Sequence, residues 1–232
     1  MKKGFWQDSV KHDENYGDSF KNSKFSYYIR EDVLKTYIQP MYQKTGGMCD
    51  MYEFGVYTGG TLNSLISQLN NNSIFVNNVY GFDSFQGLPK EEQGKEIEGK
   101  HWLEGGFSAC DAIKEWDWEK LKQKIIRNIG SDKVILIKGY YEDILNLNLI
   151  QQYAFKPALF VHIDVDLYKS TKEVLNWLFS NRLVVPGTVI RYDDVFYVPE
   201  TTGEILAHNE MCKLYNVECN RLYKDYFVVS KI

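Results

Sequence analysis

MCDMYEFGVYTGGTLNSLISQL, residues 48–69, is an apolar strand that runs into a glycine-rich turn and then a helix, with Thr58 or Thr61 placed to cap it. The same unit recurs downstream. NNVYGFDSFQGLP (77–89) is a short strand ending in Asp83, followed by a Gly- and Pro-containing turn. Residues 90–107 are polar and Gly-rich around Trp102, the composition of a long functional loop. A helix is expected from about Asp111 to Arg127, VILIKG (134–139) as a third strand and YEDILNLNLIQQY (141–153) as its helix. ALFVHIDVDLY (158–168) with KSTKEVLNWLFSNRL (169–183) makes a fourth unit. PGTVIRYDDVF (186–196) makes a fifth, with a helix over roughly Gly203 to Tyr215. CNRLYKDYFVVSKI (219–232) closes the chain as an antiparallel hairpin around Lys224. Strands alternating with amphipathic helices predict an α/β fold: a parallel sheet with helices on both faces and a ligand site at the carboxyl ends of its strands.

Upstream of this core, residues 1 to about 30 show no clear periodicity, and Glu31 to Tyr42 reads as a helix ended near Pro40. Residues 1–45 are therefore expected to form a helical appendage, a lid or a dimer arm, on a domain of residues 46–232. At 232 residues one domain is the simplest division. A net charge of −4 supplies no basic footprint for nucleic acid. The scattered Cys49, Cys110, Cys212 and Cys219 form no CxxC pair, so neither a zinc site nor a disulfide framework is signalled. No signal-peptide core and no membrane-length apolar run is visible, which predicts a soluble, cytoplasmic protein without a membrane partner. The chain is rich in aromatic residues; most are expected to pack the core, some to line a cleft.

Three groups of residues carry chemistry. The first is the turn EFGVYTGGT (53–61), whose glycines let the backbone approach a ligand at a helix amino terminus. It lacks the second glycine of the GxGxxG pyrophosphate cradle and has Glu53 just inside the strand, which favours a cationic ligand. A turn needed only for close packing is the simpler alternative. The second is Asp83, which stands where an acidic residue accepts hydrogen bonds from ribose hydroxyls; a turn-capping aspartate is its alternative. The third is the pair of clusters His162-Ile-Asp164-Val-Asp166 and Asp193-Asp194, at the carboxyl ends of neighbouring strands. Asp164 and Asp166 share a side if extended geometry persists past the strand, whereas adjacent Asp193 and Asp194 converge only if the chain turns there. Gathered carboxylates raise one another's pKa values unless a cation neutralises them, and a hard, oxygen-ligated ion such as Mg²⁺ suits that donor set.

With these residues assembled, the chain resembles the macrocin O-methyltransferase family, a branch of the class I S-adenosylmethionine-dependent methyltransferases. The match runs through YEFGVYTGGT, YGFDSFQGLP, the Trp102 to Phe107 loop, VILIKGYYEDIL, HIDVDLYKST and VVPGTVIRYDDVF, and so covers nearly everything from residue 48 onward. GFDSFQGLP and HIDVDLYKST are its most specific parts. The resemblance implies a Rossmann-like class I methyltransferase fold, a mostly parallel seven-stranded sheet with the C-terminal antiparallel hairpin seen at 219–232. It implies that residues 46–232 are the methyltransferase domain and that S-adenosylmethionine is the cofactor. Glu53, Gly55, Val56, Tyr57, Gly59 and Thr61 would hold its methionine part, Asp83 with Ser84 its ribose, and Lys138, Gly139 and Tyr140 its adenine, with Asp164 also beside it. It further implies Mg²⁺ or a similar divalent cation on Asp164, Asp193 and Asp194, with Asp166 as general base and Asp164 sharing in catalysis. Two departures are mild: Pro186-Gly187-Thr188 replaces the family's GG, and Asp193-Asp194-Val195 its DDY.

The expected activity is O-methylation of a sugar or other small-molecule acceptor in a biosynthetic pathway, with assembly into a homo-oligomer left open. The cation would lower the pKa of the attacking hydroxyl, and holding donor and acceptor in line would supply much of the acceleration. A nicotinamide-dependent oxidoreductase is one alternative, and it lacks its phosphate cradle here. A catalytically silent binding protein is another, and it would have no use for an electrostatically costly cluster. Methyl transfer to carbon or nitrogen would not need the metal.

Overall fold

The computed structural model describes residues 28–99 and 102–232. Its strands are β1 (Asp50–Phe54), β2 (Val79–Asp83), β3 (Val134–Lys138), β4 (Ala158–Ile163), β5 (Val189–Tyr192), β6 (Glu218–Arg221) and β7 (Tyr226–Lys231). They form one sheet in the order β3-β2-β1-β4-β5-β7-β6, parallel from β3 to β5, with β7 antiparallel between β5 and β6. β1 is buried at every position because it lies inside the sheet and is covered on both faces. The strand order reverses between β1 and β4, which opens a crevice beyond their carboxyl ends.

The helices are α1 (residues 31–45), α2 (Gly60–Asn71), α3 (Ala109–Ile113), α4 (Trp118–Ile129), α5 (Tyr141–Ile144), α6 (Leu147–Gln152), α7 (Tyr168–Ser180) and α8 (Gly203–Tyr215). Leu34, Ile38, Leu65 and Ile125, from α1, α2 and α4, pack with Met51 and Leu136 on one face of the sheet. Leu149, Leu178 and Met211, from α6, α7 and α8, pack with Tyr52, Phe54 and Ile137 on the other. Adjacent residues of a strand thus serve opposite cores, as the pleat requires. On the second face Phe54 and Phe82 stack at 4.6 Å and Trp177 meets Phe82 edge-on at 5.6 Å. Such pairs contribute about 0.5–1.5 kcal/mol each beyond their area, so most aromatic residues here build the core. No helix among the described residues is long and apolar enough to cross a membrane.

Several local expectations are corrected. The first helix does not stop at Pro40 but continues to Thr45 and ends at left-handed Gly46. Pro40 is tolerated because the preceding turn, Leu34–Ile38, is π-helical: the Gln39 N–H reaches back five residues to Leu34, a wide turn that takes in a residue with no N–H of its own. Val33, Leu34, Ile38 and Met41 are buried in the first core, whereas residues 1–27 of the expected appendage lie outside the described residues. Neither Thr58 nor Thr61 caps α2; its cap is Gly59 at φ +88°. The helix expected from Asp111 to Arg127 is two helices, broken at left-handed Lys114, with Ser108 and Asp117 capping the halves. The helix expected over 141–153 is likewise split, because the Asn146 side chain accepts from the Asn148 and Leu149 N–H groups and starts a new helix there.

Candidate active site

Register places the polar residues in two layers. Glu53 of β1 pairs with His162 of β4, and His162 with Arg191 of β5. Two residues further along each strand come Gly55, Asp164 and Asp193, at the floor of a cleft of about 780 Å³. That volume suits a small-molecule ligand. Gly55 is required by sterics: at φ +89° a Cβ would lie 1.7 Å from the carbonyl oxygen of Asp164. The turn after β1 therefore presses directly on the exit of β4.

The structure brings Gly55, Val56, Tyr57, Thr61, Asp83 and Ser84 to the cleft wall, together with Gly139, Tyr140 and Asp164. Gly59, Lys138 and Glu53 do not line it. Gly59 backs onto Ile129, and Lys138 places Nζ 5.1 Å over the Trp118 ring. Glu53, expected beside a methionine ammonium, is fully buried beneath the cleft and hydrogen-bonded to His162 Nδ1 at 3.0 Å. Asp83 accepts from the Val56 and Tyr57 N–H groups at 2.9 and 2.7 Å and from Phe85 at 2.5 Å, tying the β2 exit to the glycine turn. Burial raises its pKa against the lowering effect of these bonds.

Asp164, Asp166, Asp193 and Asp194 all reach the cleft, but not by persistence of the strand. β4 ends at Ile163, and Asp166 takes a left-handed conformation at φ +60°, a strained geometry that costs about 1–3 kcal/mol and clusters at functional sites. Asp193 turns into a 3₁₀ segment, Asp194–Phe196, as convergence requires. The Asp166 and Asp194 carboxyl groups lie close enough to perturb one another, and Asp166 Oδ1 accepts from Trp102 Nε1 at 2.9 Å. Glu204 of α8, fully buried, accepts from the Val165 and Asp194 N–H groups at 3.2 Å each and locks the two strand exits together.

Burial, then repulsion from Asp193, Asp194 and Asp166, pushes Asp164 well above the carboxylate range. Burial and Asp166 do the same to Asp194; Asp166 itself is pushed up to about 7 by burial and Glu204. Asp193 is raised by burial, with Arg191 opposing. Asp194 Oδ2 is buried without a hydrogen-bond partner. Donor atoms of His162, Asp164 and Asp193 lie within 4.8 Å of one another. Asp164 and Asp193, with the unpartnered Asp194 Oδ2, offer the oxygen donors that a hard divalent cation takes, and its charge would relieve their repulsion.

The sequence sets His162 beside the first aspartate cluster without giving it a role, and Arg191, Glu204 and the cleft-lining Lys169, Ser170 and Glu173 go unsignalled as parts of this site. Lys169 bridges to Glu142 at 2.6 Å, and the α7 amino terminus is capped from the loop by Glu91, which accepts from the Tyr168 and Lys169 N–H groups at 2.8 and 3.0 Å. A second cluster, unsignalled by spacing, joins His208, Cys212 and Cys219. The Cys212 sulfur is 3.9 and 3.6 Å from Nδ1 and Nε2 of His208 and 4.0 Å from the Cys219 sulfur, and Tyr192 engages Nδ1 at 2.8 Å.

The family model described as macrocin O-methyltransferase matches residues 30–216. Among solved structures, CalS11, a calicheamicin methyltransferase, is 19% identical, with 85% of this chain and 78% of that one covered and a TM-score of 0.61. The O-methyltransferase NovP is 19% identical, with 84% and 79% covered and a TM-score of 0.57. Apo CalS11, described as a TDP-rhamnose 3'-O-methyltransferase, aligns at 19% identity over 85% and 78% with a TM-score of 0.50. At this identity the likenesses show the fold. No curated protein matches the chain.

Proposed function

This chain belongs to the macrocin O-methyltransferase family and is an S-adenosylmethionine-dependent O-methyltransferase, and from that premise we propose that it methylates a sugar hydroxyl with the help of a divalent cation. The observation that carries the reading is the gathering of Asp164, Asp166, Asp193 and Asp194 on one wall of the switch-point cleft, each with its pKa raised. Family membership removes the oxidoreductase alternative.

Asp164, Asp193 and Asp194 would hold the cation, of the Mg²⁺ class, and Asp166 would take the proton of the acceptor hydroxyl. A bound Mg²⁺ supplies Lewis-acid stabilisation of an oxygen whose proton is leaving. S-adenosylmethionine supplies a sulfonium methyl. Gly55 to Thr58, with Gly60 and Thr61, would face its methionine part, and Asp83 with Ser84 and Gly139 with Tyr140 its nucleoside. Asp166 suits a base because its pKa lies near neutrality, where a carboxyl both gives up and accepts protons. Trp102 holds that carboxyl through Nε1 and closes the cleft over it. A sugar acceptor is supported by CalS11, described as acting on TDP-rhamnose. The reading includes a cytoplasmic enzyme of residues 46–232 with a small-molecule partner.

The test is mass spectrometry of the purified protein incubated with S-adenosylmethionine, Mg²⁺ and a panel of glycosides and nucleotide sugars. A product heavier by one methyl, linked to a sugar oxygen, supports the reading. Methylation confined to nitrogen or carbon acceptors contradicts it.

A further inference from the structure

Glu53, His162 and Arg191 form a row across β1, β4 and β5 directly beneath the row that carries Asp164 and Asp193. Asp164 and Asp193 each stand one residue past the end of their strand, and the contact between the rows is made where His162 and Arg191 approach Asp193. The lower row is expensive to bury: Glu53 and His162 are 0% exposed and Arg191 5%. Apolar residues of similar volume would be as stable or more so. Glu53 does not reach the cleft, so ligand binding does not account for it.

The contacts within the row are directional. With the ring proton on Nε2, a protonated Glu53 donates from Oε1 to His162 Nδ1 at 3.0 Å and so fixes the plane of the ring. The other ring nitrogen, Nε2, is buried without a hydrogen-bond partner and faces Asp193 Oδ1 at 3.9 Å. Arg191 Nη2 approaches the same oxygen at 3.6 Å, and its Nε is anchored by Asp225 at 3.4 Å. Asp193 is the cleft aspartate with room to adjust, its side chain being 36% exposed. A slight turn of its carboxyl group brings Oδ1 within hydrogen-bonding range of Nε2.

We propose that His162, oriented by Glu53, is a positioning residue that supports Asp193 from below and sets the carboxylate for the divalent cation. Groups that hydrogen-bond a ligating carboxylate tune a metal site without belonging to its ligand shell. The inference rests on the proposed cation site. It assigns Glu53 to the support of the metal carboxylates in place of contact with the methionine ammonium.

The two ring nitrogens provide the test. In His162→Gln the longer amide reaches toward the position of Nε2 and Asp193, whereas in His162→Asn the shorter one reaches only that of Nδ1 and Glu53. Mn²⁺ binding to the full chain is followed by the electron paramagnetic resonance signal of the free ion, with S-adenosylhomocysteine affinity and the thermal midpoint measured alongside. His162→Asn is expected to weaken Mn²⁺ binding roughly 10- to 100-fold, the usual effect of losing such a support, with S-adenosylhomocysteine affinity retained and His162→Gln recovering most of the loss. Glu53→Ala, which leaves the ring in place but unheld, weakens it in the same direction and serves if His162→Asn does not fold. Wild-type Mn²⁺ affinity in both His162→Asn and Glu53→Ala overturns the proposal. Equal loss in the Gln and Asn variants does so too, as does a directly coordinated ¹⁴N in the bound Mn²⁺ spectrum, which makes His162 a ligand. Failure of the wild-type protein to bind Mn²⁺ removes the cation site itself, a separate result.

Discussion

Raising the pH in the presence of a chelator should destabilise this protein, and Asp166 gives the size of the effect. Its pKa is pushed up to about 7 in the fold against the ordinary carboxyl value of 3.8. The unfolded chain therefore gives up this proton first, and the folded state binds more protons between those two values. Stability then falls as pH rises through that window and levels off above the folded pKa. Between pH 5.5 and 8 the remaining rise to the folded pKa is about 1.5 units, worth about 2 kcal/mol at 1.36 kcal/mol per unit. For a chain of this size that corresponds to a thermal midpoint lower by roughly 4–8 °C. Asp164, Asp194 and Glu204 are shifted in the same direction and add to the fall. The assay is a thermal melt with EDTA at both pH values, for the wild type and for Asp166→Asn, in which the Asp166 share disappears. Mg²⁺, which needs ionised carboxylates, should stabilise the wild type more at pH 8 than at pH 5.5. A pH-induced drop as large in Asp166→Asn as in the wild type, or stabilisation by Mg²⁺ that is greater at the lower pH, would refute the reasoning.

Trp102→Phe keeps the ring and removes the Nε1 donor to Asp166 Oδ1. Hydrogen bonds to charged groups are worth about 1.5–3 kcal/mol, so kcat should fall by one to two orders of magnitude with S-adenosylmethionine affinity little changed; steady-state kinetics and calorimetry check both halves. Gly55→Ala places a Cβ 1.7 Å from the Asp164 carbonyl oxygen at a left-handed position, so the β1 turn or the β4 exit has to move. Chemical denaturation should show a loss of at least about 1–3 kcal/mol from backbone strain alone, and S-adenosylmethionine binding should be lost with it.

The frame of the fold is legible in the sequence because it depends on local patterns. Apolar runs such as Val134–Ile137 and Ala158–Ile163 end where β3 and β4 end or one residue short, and the hairpin turns at Lys224. The glycine turn and the aspartates at the β4 and β5 exits are visible for the same reason: strand ends are where a doubly wound sheet collects its chemistry. What escapes is set by contacts between distant residues. Trp102 meets Asp166 across 64 positions and Glu53 meets His162 across 109, with no period to announce either. Glu204 lies in a helix that pattern alone locates, yet its bonds to Val165 and Asp194 depend on how α8 docks. Single-residue backbone choices, left-handed Lys114 and Asp166 or the π-turn before Pro40, also leave no hydrophobic signature.

The account stands most directly on one measurement: transfer of a labelled methyl group from S-adenosylmethionine to a sugar acceptor, run with the wild type and Asp164→Asn, with Mg²⁺ and with EDTA. The predicted result is turnover by the wild type that EDTA abolishes and excess Mg²⁺ restores, and none by Asp164→Asn under either condition. Wild-type transfer undiminished by EDTA, or an Asp164→Asn enzyme as active and as Mg²⁺-dependent as the wild type, would contradict it.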